Sequence, residues 1–200
     1  MATNVEIANI AMTLLGEDTI VSLTSDLGEK ERKVNAIYTT TRDEVLRSFP
    51  WNFATKQATL GLLSETPTYE WTYMYQLPSD FIRLLMTEGQ TKYRIQGDKL
   101  LSNQATLNIT YTFRETDPQK WDTCFVNAFA AKIAFKLAYA LPNSNSLQAT
   151  AKAYYDEAIA EARGLDSQEN EHEPLYYDEL TDARLGTFSR NTGYEGSVTT

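Results

Sequence analysis

Apolar residues recur every three to four positions in four stretches of the chain, the spacing that places them along one face of an α-helix. The first stretch covers residues 4–15, where Asn4 can cap the helix and Gly16 suits the left-handed position after its last turn. The second stretch covers 28–49 and ends at Pro50, which disfavours helical geometry in the residue before it. The pattern predicts a helix in each stretch.

The second half of the chain contains the other two helical patterns. Asp117 and Pro118 are suited to open a helix over 118–141. This helix carries an apolar ladder with one member every four residues: Trp121, Phe125, Phe129, Ile133, Leu137 and Leu141. A fourth helix is predicted over 147–163, with Gly164 as its stop. Because the connection is short, we expect these two helices to be antiparallel neighbours.

Between the helices, residues 55–114 change to alternation of apolar and polar positions, which is typical of strands. Gly97 and Asp98 form the expected turn of a hairpin between 93–95 and 99–101. We therefore predict an α+β fold: an antiparallel bundle of about four helices with an inserted small antiparallel sheet. A single domain covers 1–163, and 164–200 form an extended C-terminal tail.

Charge divides the chain at the same point. The 200 residues carry a net charge of −9, and the pI is near 4.7. Residues 164–200 hold two arginines against eight acidic residues, so most of the excess lies in the tail. Such an acidic chain lacks the basic surface expected of a protein that grips duplex DNA. The tail also carries large side chains that are predicted either to fold back onto the rest of the chain or to bind a partner. The candidates for partner binding are Leu175, Tyr176, Tyr177, Leu180, Arg184 and Phe188.

Candidate chemistry is sparse. No glycine-rich phosphate loop or dinucleotide fingerprint is present, so no cofactor is expected. The one histidine, His172, lies in an acidic run, which favours a solvated side chain. The one cysteine, Cys124, lies on the apolar ladder, which favours packing in the core. We predict no catalytic residue and no metal site. Adjacent carboxylates are interpreted as solvated helix faces: Glu17-Asp18, Asp43-Glu44 and Asp156-Glu157.

Two further patterns concern location. No apolar run approaches the ~20 residues of a membrane-spanning helix. The first residues, 1–6, lack the basic and apolar regions of a secretion signal, so we expect an intracellular or virion-borne protein that is made in the cytoplasm.

Taken in order along 4–163, several short motifs resemble the tail tubular protein A family, the head-to-tail adaptors of short-tailed bacteriophages. The motifs that carry this resemblance are Leu15-Gly16-Glu17, Val21-Ser22-Leu23, Arg42 with Leu46, Trp51-Asn52-Phe53-Ala54, Tyr75-Gln76-Leu77-Pro78-Ser79-Asp80, Tyr111, Trp121 with Phe125, Ala130 and Ala134, and Tyr154 with Ala162. Each motif alone is a packing motif, and the ordered set makes the resemblance.

The resemblance implies a non-enzymatic virion protein, a homo-oligomeric and dodecameric ring between the portal protein and the tail nozzle, with a central channel that passes DNA. A ring needs a head-to-tail contact repeated until it closes. We expect the exposed parts of four aromatic side chains to contribute to that contact: Trp51, Phe53, Tyr69 and Trp71.

Two other functions stay open on the sequence. Two carboxylates distant in sequence can meet in a cleft, which would suit a polysaccharide hydrolase. Another phage neck component, such as a head-completion protein, would share the same packing motifs.

Overall fold

Four α-helices and seven β-strands make up the part of the chain that the structure, a computed structural model, describes: residues 2–24, 28–141 and 144–169. The helices are α1 (Asn4–Leu14), α2 (Glu29–Ser48), α3 (Thr123–Leu137) and α4 (Asn145–Gln168). The strands are β1 (Thr55–Thr59), β2 (Gly61–Leu62), β3 (Tyr73–Gln76), β4 (Phe81–Thr87), β5 (Tyr93–Gln96), β6 (Lys99–Ser102) and β7 (Asn108–Phe113). The predicted α+β class is confirmed. None of the helices in these ranges is long and apolar enough to cross a membrane.

The first helix begins with a different cap from the one predicted. Thr3 is the N-cap, and its hydroxyl accepts from the backbone N–H of Glu6 at 3.2 Å while the Glu6 carboxylate accepts from the Thr3 N–H at 2.7 Å. This reciprocal pair satisfies two free amides at once. Asn4 is already helical, and its side chain accepts a hydrogen bond from Tyr38. Gly16 adopts the predicted left-handed conformation, with φ of 69°.

The third helix is shorter than predicted at both ends. Asp117 and Pro118 begin only a 3₁₀ turn, and the extended backbone of Trp121 (ψ 142°) separates this turn from α3. The helix is capped instead by Asp122, whose carboxylate accepts from the backbone N–H groups of the second and third helical residues. A second aspartate five residues after the first therefore decides where the α-helix starts.

The fourth helix runs through Gly164 to Gln168, so the predicted stop is wrong. Gly164 is a helical glycine, and a Cβ atom added to it would meet nothing within 4 Å. Ser144 caps the start of the helix and accepts from the backbone N–H of Leu147. The packing that continues beyond Gly164, above all that of Asp166, outweighs the low helix propensity of one glycine.

Replacing Gly164 with alanine should raise the free energy of unfolding by about 0.5–1 kcal/mol, because alanine loses less backbone entropy in a helix than glycine does. The matched control is Gly16→Ala, which forces a side chain into a left-handed conformation and should lower the same quantity by about 1–2 kcal/mol. Urea unfolding of the two variants checks both signs. A shift of the same sign in both variants contradicts the prediction.

Helix α3 lies at the centre of the helical part and contacts each of the other three helices. It runs antiparallel to α4, as predicted: the Lys132 ammonium in the middle of α3 lies 4.4 Å from the ring centre of Tyr155, and Cys124 at its start lies within electrostatic range of Glu161 near the end of α4. Four alanines of α3 are fully buried, which lets neighbouring helices approach closely on several sides: Ala128, Ala130, Ala131 and Ala134.

The strands form two antiparallel sheets where the sequence predicted one. A three-stranded sheet has the order β1-β7-β4, and a four-stranded sheet has the order β2-β3-β6-β5. The chain passes from one sheet to the other at Leu60, whose backbone N–H donates to the carbonyl of Leu107 at 2.9 Å. Side chains from both sheets form a second core: Leu60, Tyr75, Leu77, Leu100, Leu107, Ile109 and Tyr111. Only Leu60 lies between β1 and β2, so the sequence contains no loop that would mark the passage from one sheet to the other.

Asp166 joins the end of α4 to the turn that leads into the sheets. Its carboxylate accepts from the backbone N–H of Asn52 at 3.0 Å, and its backbone carbonyl accepts from the Asn52 side-chain amide at 2.8 Å. Asp166 is 7% exposed, and this burial raises the pKa of its carboxyl group above the ordinary 3.8, against the lowering effect of the Asn52 bond.

The raised pKa of Asp166 determines how the stability of the fold changes with pH. The folded state binds a proton more readily than the unfolded state, so stability falls as pH rises from 3.8 through the raised pKa. Asp166→Asn should remove this dependence and stay at least as stable as the wild type at pH 7. Asp166→Ala should lose about 1–3 kcal/mol, because the Asn52 N–H loses its acceptor. Thermal unfolding across the acidic range checks both variants, and an unchanged Asp166→Ala protein would contradict the assignment.

Candidate assembly surface

The two predicted interface aromatics nearest the second helix lie in the helical core. Trp51 is 1% exposed, and its indole N–H donates to the Val45 carbonyl at 3.0 Å. The prediction that Trp51 presents an exposed part is therefore wrong. Phe53 is partly buried, with its ring centre 4.9 Å from that of Phe125. The turn after α2 brings both aromatic side chains inward, where they close the core at its junction with β1.

The other two predicted aromatics lie in the loop between β2 and β3. Tyr69 is 73% exposed, and Trp71 is partly buried at a small cavity of about 120 Å³. The Trp71 indole N–H has no hydrogen-bond partner among the described residues. Their place in a subunit contact stays a prediction, and of the four residues Tyr69 offers the most surface for one.

Polar contacts attach this loop to the four-stranded sheet. Arg94 of β5 forms an ion pair with Glu70 at 3.1 Å, and Lys99 of β6 forms one with Glu65 at 2.5 Å. The Asn103 side chain accepts from the backbone N–H of Thr72 at 2.9 Å. The loop therefore covers one face of the sheet and leaves the strand edges open. The predicted partner-binding residues of the tail, 175–188, lie outside the described residues and stay predictions.

Among the described strands, none pairs with either outer edge of the four-stranded sheet, and both of these open edges carry exposed apolar side chains. At one edge, Leu62 of β2 is 55% exposed. At the other edge, every residue of β5 is exposed, and Tyr93 and Ile95 are 44% and 40% exposed. An open edge presents unpaired backbone groups that can pair with another strand. Sequence reasoning found the β5 hairpin, but it had no signal for which strands would end the sheet.

The three-stranded sheet carries a cleft of about 580 Å³. Its polar and apolar lining includes Gln57, Thr59, Met86, Glu88, Asn108 and Thr110. Glu88 is the one carboxylate in this lining, and it accepts from the Asn108 amide at 2.7 Å. Glycoside hydrolysis by the usual mechanism needs two facing carboxyl groups. This cleft supplies one.

Ion pairs form at all three pairs of adjacent carboxylates: Asp156 contacts Lys152 of the same helix at 4.0 Å, and the other two pairs contact different elements of the fold. Glu17 and Asp18 both contact Lys30, at 2.8 and 3.1 Å. In α2, Asp43 pairs with Arg42 and Arg114, and Glu44 pairs with Lys132 and Lys136 of α3. These acidic groups therefore connect elements of the fold.

The remaining candidates for chemistry are the cysteine, clusters of metal-binding side chains and the histidine. Burial, followed by the nearby Asp122 carboxylate, raises the pKa of the Cys124 thiol, so its reactive thiolate is disfavoured. Within the described ranges, no three histidine, cysteine or acidic side chains lie close enough together to hold a metal ion. His172 lies outside those ranges.

Comparison with protein families and with curated proteins identifies no relative of this chain. No model of a protein family matches the chain, and no curated protein matches it.

Proposed function

We propose that this protein is a structural component of a bacteriophage virion, an adaptor that forms a ring between the portal and the tail nozzle and lets DNA pass through its centre. The observation that carries the proposal is the four-stranded sheet with two open, apolar edges. A protein with complementary open edges on opposite sides of one sheet is suited to repeated contact with copies of itself. The order of motifs along 4–163, which resembles tail tubular protein A, supports the virion setting.

Burial of those motifs supports the same proposal. Trp51, Tyr75, Tyr111 and Phe125 are each at most 1% exposed, so the resemblance rests on residues that determine the packing of both cores. Under this proposal the helices form the predicted bundle with the sheets inserted, and the ring is dodecameric. The acidic tail after the last helix supplies the contact with the portal or the nozzle.

Reconstitution with the portal protein encoded in the same phage genome tests the proposal. Purified full-length protein, mixed with assembled portal, should form rings at one end of the portal that are visible by electron microscopy. Portals that stay bare over a range of protein concentrations would overturn the adaptor function. A virion map that places the protein elsewhere in the neck would favour a head-completion role instead.

The tail contact is tested within the same assay. The triple variant Tyr176→Ala, Leu180→Ala and Phe188→Ala, made in the full chain, should bind portal at least about tenfold more weakly if these side chains form the anchor. The matched control replaces exposed aromatic side chains of the described part, Tyr139→Ala and Tyr154→Ala, which are 58% and 45% exposed. Equal binding by the triple variant and the control would overturn the tail's role and leave the ring itself untouched.

A further inference from the structure

One row of side chains crosses all four strands of the β2-β3-β6-β5 sheet. The strand registers place Leu62 opposite Tyr75, Tyr75 opposite Leu100, and Leu100 opposite Ile95. The two inner members are buried in the second core, at 1% and 0% exposure, whereas the two outer members are 55% and 40% exposed. The row therefore continues the core face of the sheet to both edges and ends there in an apolar side chain.

The backbone hydrogen bonds set the direction of the groups at each edge. The backbone N–H of Leu77 donates to the carbonyl of Asp98. Because every second pair of opposite residues in antiparallel strands exchanges backbone hydrogen bonds, Tyr75 of β3 and Leu100 of β6 are also a hydrogen-bonded pair. The backbone N–H of Leu63 donates to the carbonyl of Met74, so these two residues are a hydrogen-bonded pair. The neighbouring pair of Leu62 and Tyr75 therefore exchanges no backbone hydrogen bonds. The N–H and C=O of Leu62 consequently point away from the sheet, at the β2 edge.

The same alternation applies at the opposite edge. The backbone groups of Leu100 are used by β3, so its pair with Ile95 across β5 and β6 is non-bonded. The N–H and C=O of Ile95 therefore point outward, and they have no partner among the described residues. Within the described part of the chain, both edges thus present one apolar residue on the core face whose backbone donor and acceptor have no partner.

Strand direction completes the match. Each neighbouring pair in the sheet is antiparallel, so β2 and β5, three strands apart, run in opposite directions. When two copies lie side by side with their sheets in the same orientation, β5 of one copy is antiparallel to β2 of the next. Ile95 and Leu62 can then exchange two backbone hydrogen bonds, and their side chains fall on the same face.

This pairing joins the β5 edge of one copy to the β2 edge of the next. A contact between two different edges repeats from copy to copy and closes when the rotation allows it.

We propose that copies of this protein assemble by continuing the four-stranded sheet from β5 of one copy to β2 of the next, with Ile95 opposite Leu62. The occupant of each open edge is a second copy of the same chain. The inference rests on the proposed ring and specifies its subunit contact. The strand pair aligns the copies, and neighbouring surface must bring the buried area to the ~1,000 Å² that a stable contact needs.

Engineered cysteines test this register. In a full-length Cys124→Ala background, Leu62→Cys and Ile95→Cys are combined. Within one copy these positions are separated by three strand spacings, about 14 Å, which is too far for a disulfide. Any disulfide between them therefore joins two copies. The matched control combines Leu62→Cys with Arg94→Cys, because the Arg94 side chain lies on the opposite face of the sheet.

Oxidation of the protein, alone and on portals, should give a ladder of covalent oligomers with the Leu62/Ile95 pair and at most weak dimers with the control. Rings on portals without that ladder would overturn the strand register and leave the adaptor function intact. A ladder without portal rings would support the strand contact and count against the adaptor. Absence of both would overturn both proposals.

A second variant tests the backbone part of the contact. Ile95→Pro removes the outward N–H and leaves the bonds between β5 and β6 in place, so the chain should fold with an unchanged circular dichroism spectrum. Its self-association, measured by analytical ultracentrifugation, should be at least about tenfold weaker. Unchanged self-association of a folded Ile95→Pro protein would overturn the proposed hydrogen-bond pairing.

Discussion

Replacing Phe125 with alanine should lower the free energy of unfolding by about 3–5 kcal/mol, the usual range for removing a fully buried phenylalanine. The side chain is 0% exposed and lies among four other aromatic rings. Three of these rings meet it edge to face at centroid distances of 4.9 to 5.4 Å, and one stacks on it at 6.2 Å: those of Phe53, Trp51, Trp121 and Phe129. Alanine would lose both the buried area and these ring contacts.

The surroundings of Phe125 explain why the cavity should stay open. Trp51 is fixed by its bond to the Val45 carbonyl, and Trp121 by its bond to the Glu115 carbonyl. Because these two rings are held by hydrogen bonds, they cannot collapse into the space without losing a partner. The loss should therefore fall in the upper part of the range.

Urea unfolding measures this effect. Tyr154→Ala is the control, since it also removes an aromatic side chain from a helix, but one that is 45% exposed, and it should change the free energy of unfolding by at most about 0.5 kcal/mol. Similar losses in the two variants would show that the aromatic cluster does not hold the helices together.

The ladder to which Phe125 belongs is also where the sequence was most informative. Residues that recur every four positions on α3 are buried almost throughout, because a long helix surrounded by others leaves a periodic signal that few alternatives can mimic. The hairpin at Gly97 was predictable for a related reason: a left-handed glycine between two alternating runs specifies a turn locally.

Features that depend on distant residues were not predictable. Trp51 was assigned an exposed part in a subunit contact, because its own neighbourhood does not show how completely the rest of the helical core covers it. The division into two sheets depends on the bond of Leu60 to Leu107, which are far apart in sequence. The end of α4 depends on Asp166 reaching Asn52. In each case a tertiary contact overrides the local pattern.

The edge strands of the candidate assembly surface were not predictable for the same reason, because they depend on residues far apart in the sequence. Tyr93 and Ile95 alternate with polar residues as strand residues do, and the pattern is the same at an edge and in the middle of a sheet. Only the strand order makes β2 and β5 the edges, and strand order is determined by pairing across the whole region 55–114. Leu62 carries still less signal, because its strand has two residues.

Replacing Asp43 with alanine should lower the free energy of unfolding by about 2–3 kcal/mol. Its carboxylate accepts two bonds from the Arg42 guanidinium, at 2.9 and 2.8 Å, and one from Arg114 at 2.8 Å. Arg42 is 8% exposed, so the variant would leave a buried cation without its partner. The expected loss lies below the ~3–5 kcal/mol of a fully buried pair, because the Asp43 side chain is 31% exposed.

The neighbouring residue provides the control for Asp43. Glu44 forms ion pairs with Lys132 and Lys136, yet its side chain is 49% exposed, so Glu44→Ala should lose at most about 1 kcal/mol. Unfolding at low salt and at about 1 M salt separates the two cases, since screening reaches exposed pairs first. The Glu44 effect should shrink in salt while the Asp43 effect persists. Because Arg114 follows β7, a persistent Asp43 effect would show that this carboxylate joins α2 to the sheet that it faces, whereas equal and salt-sensitive losses would reduce it to a surface ion pair.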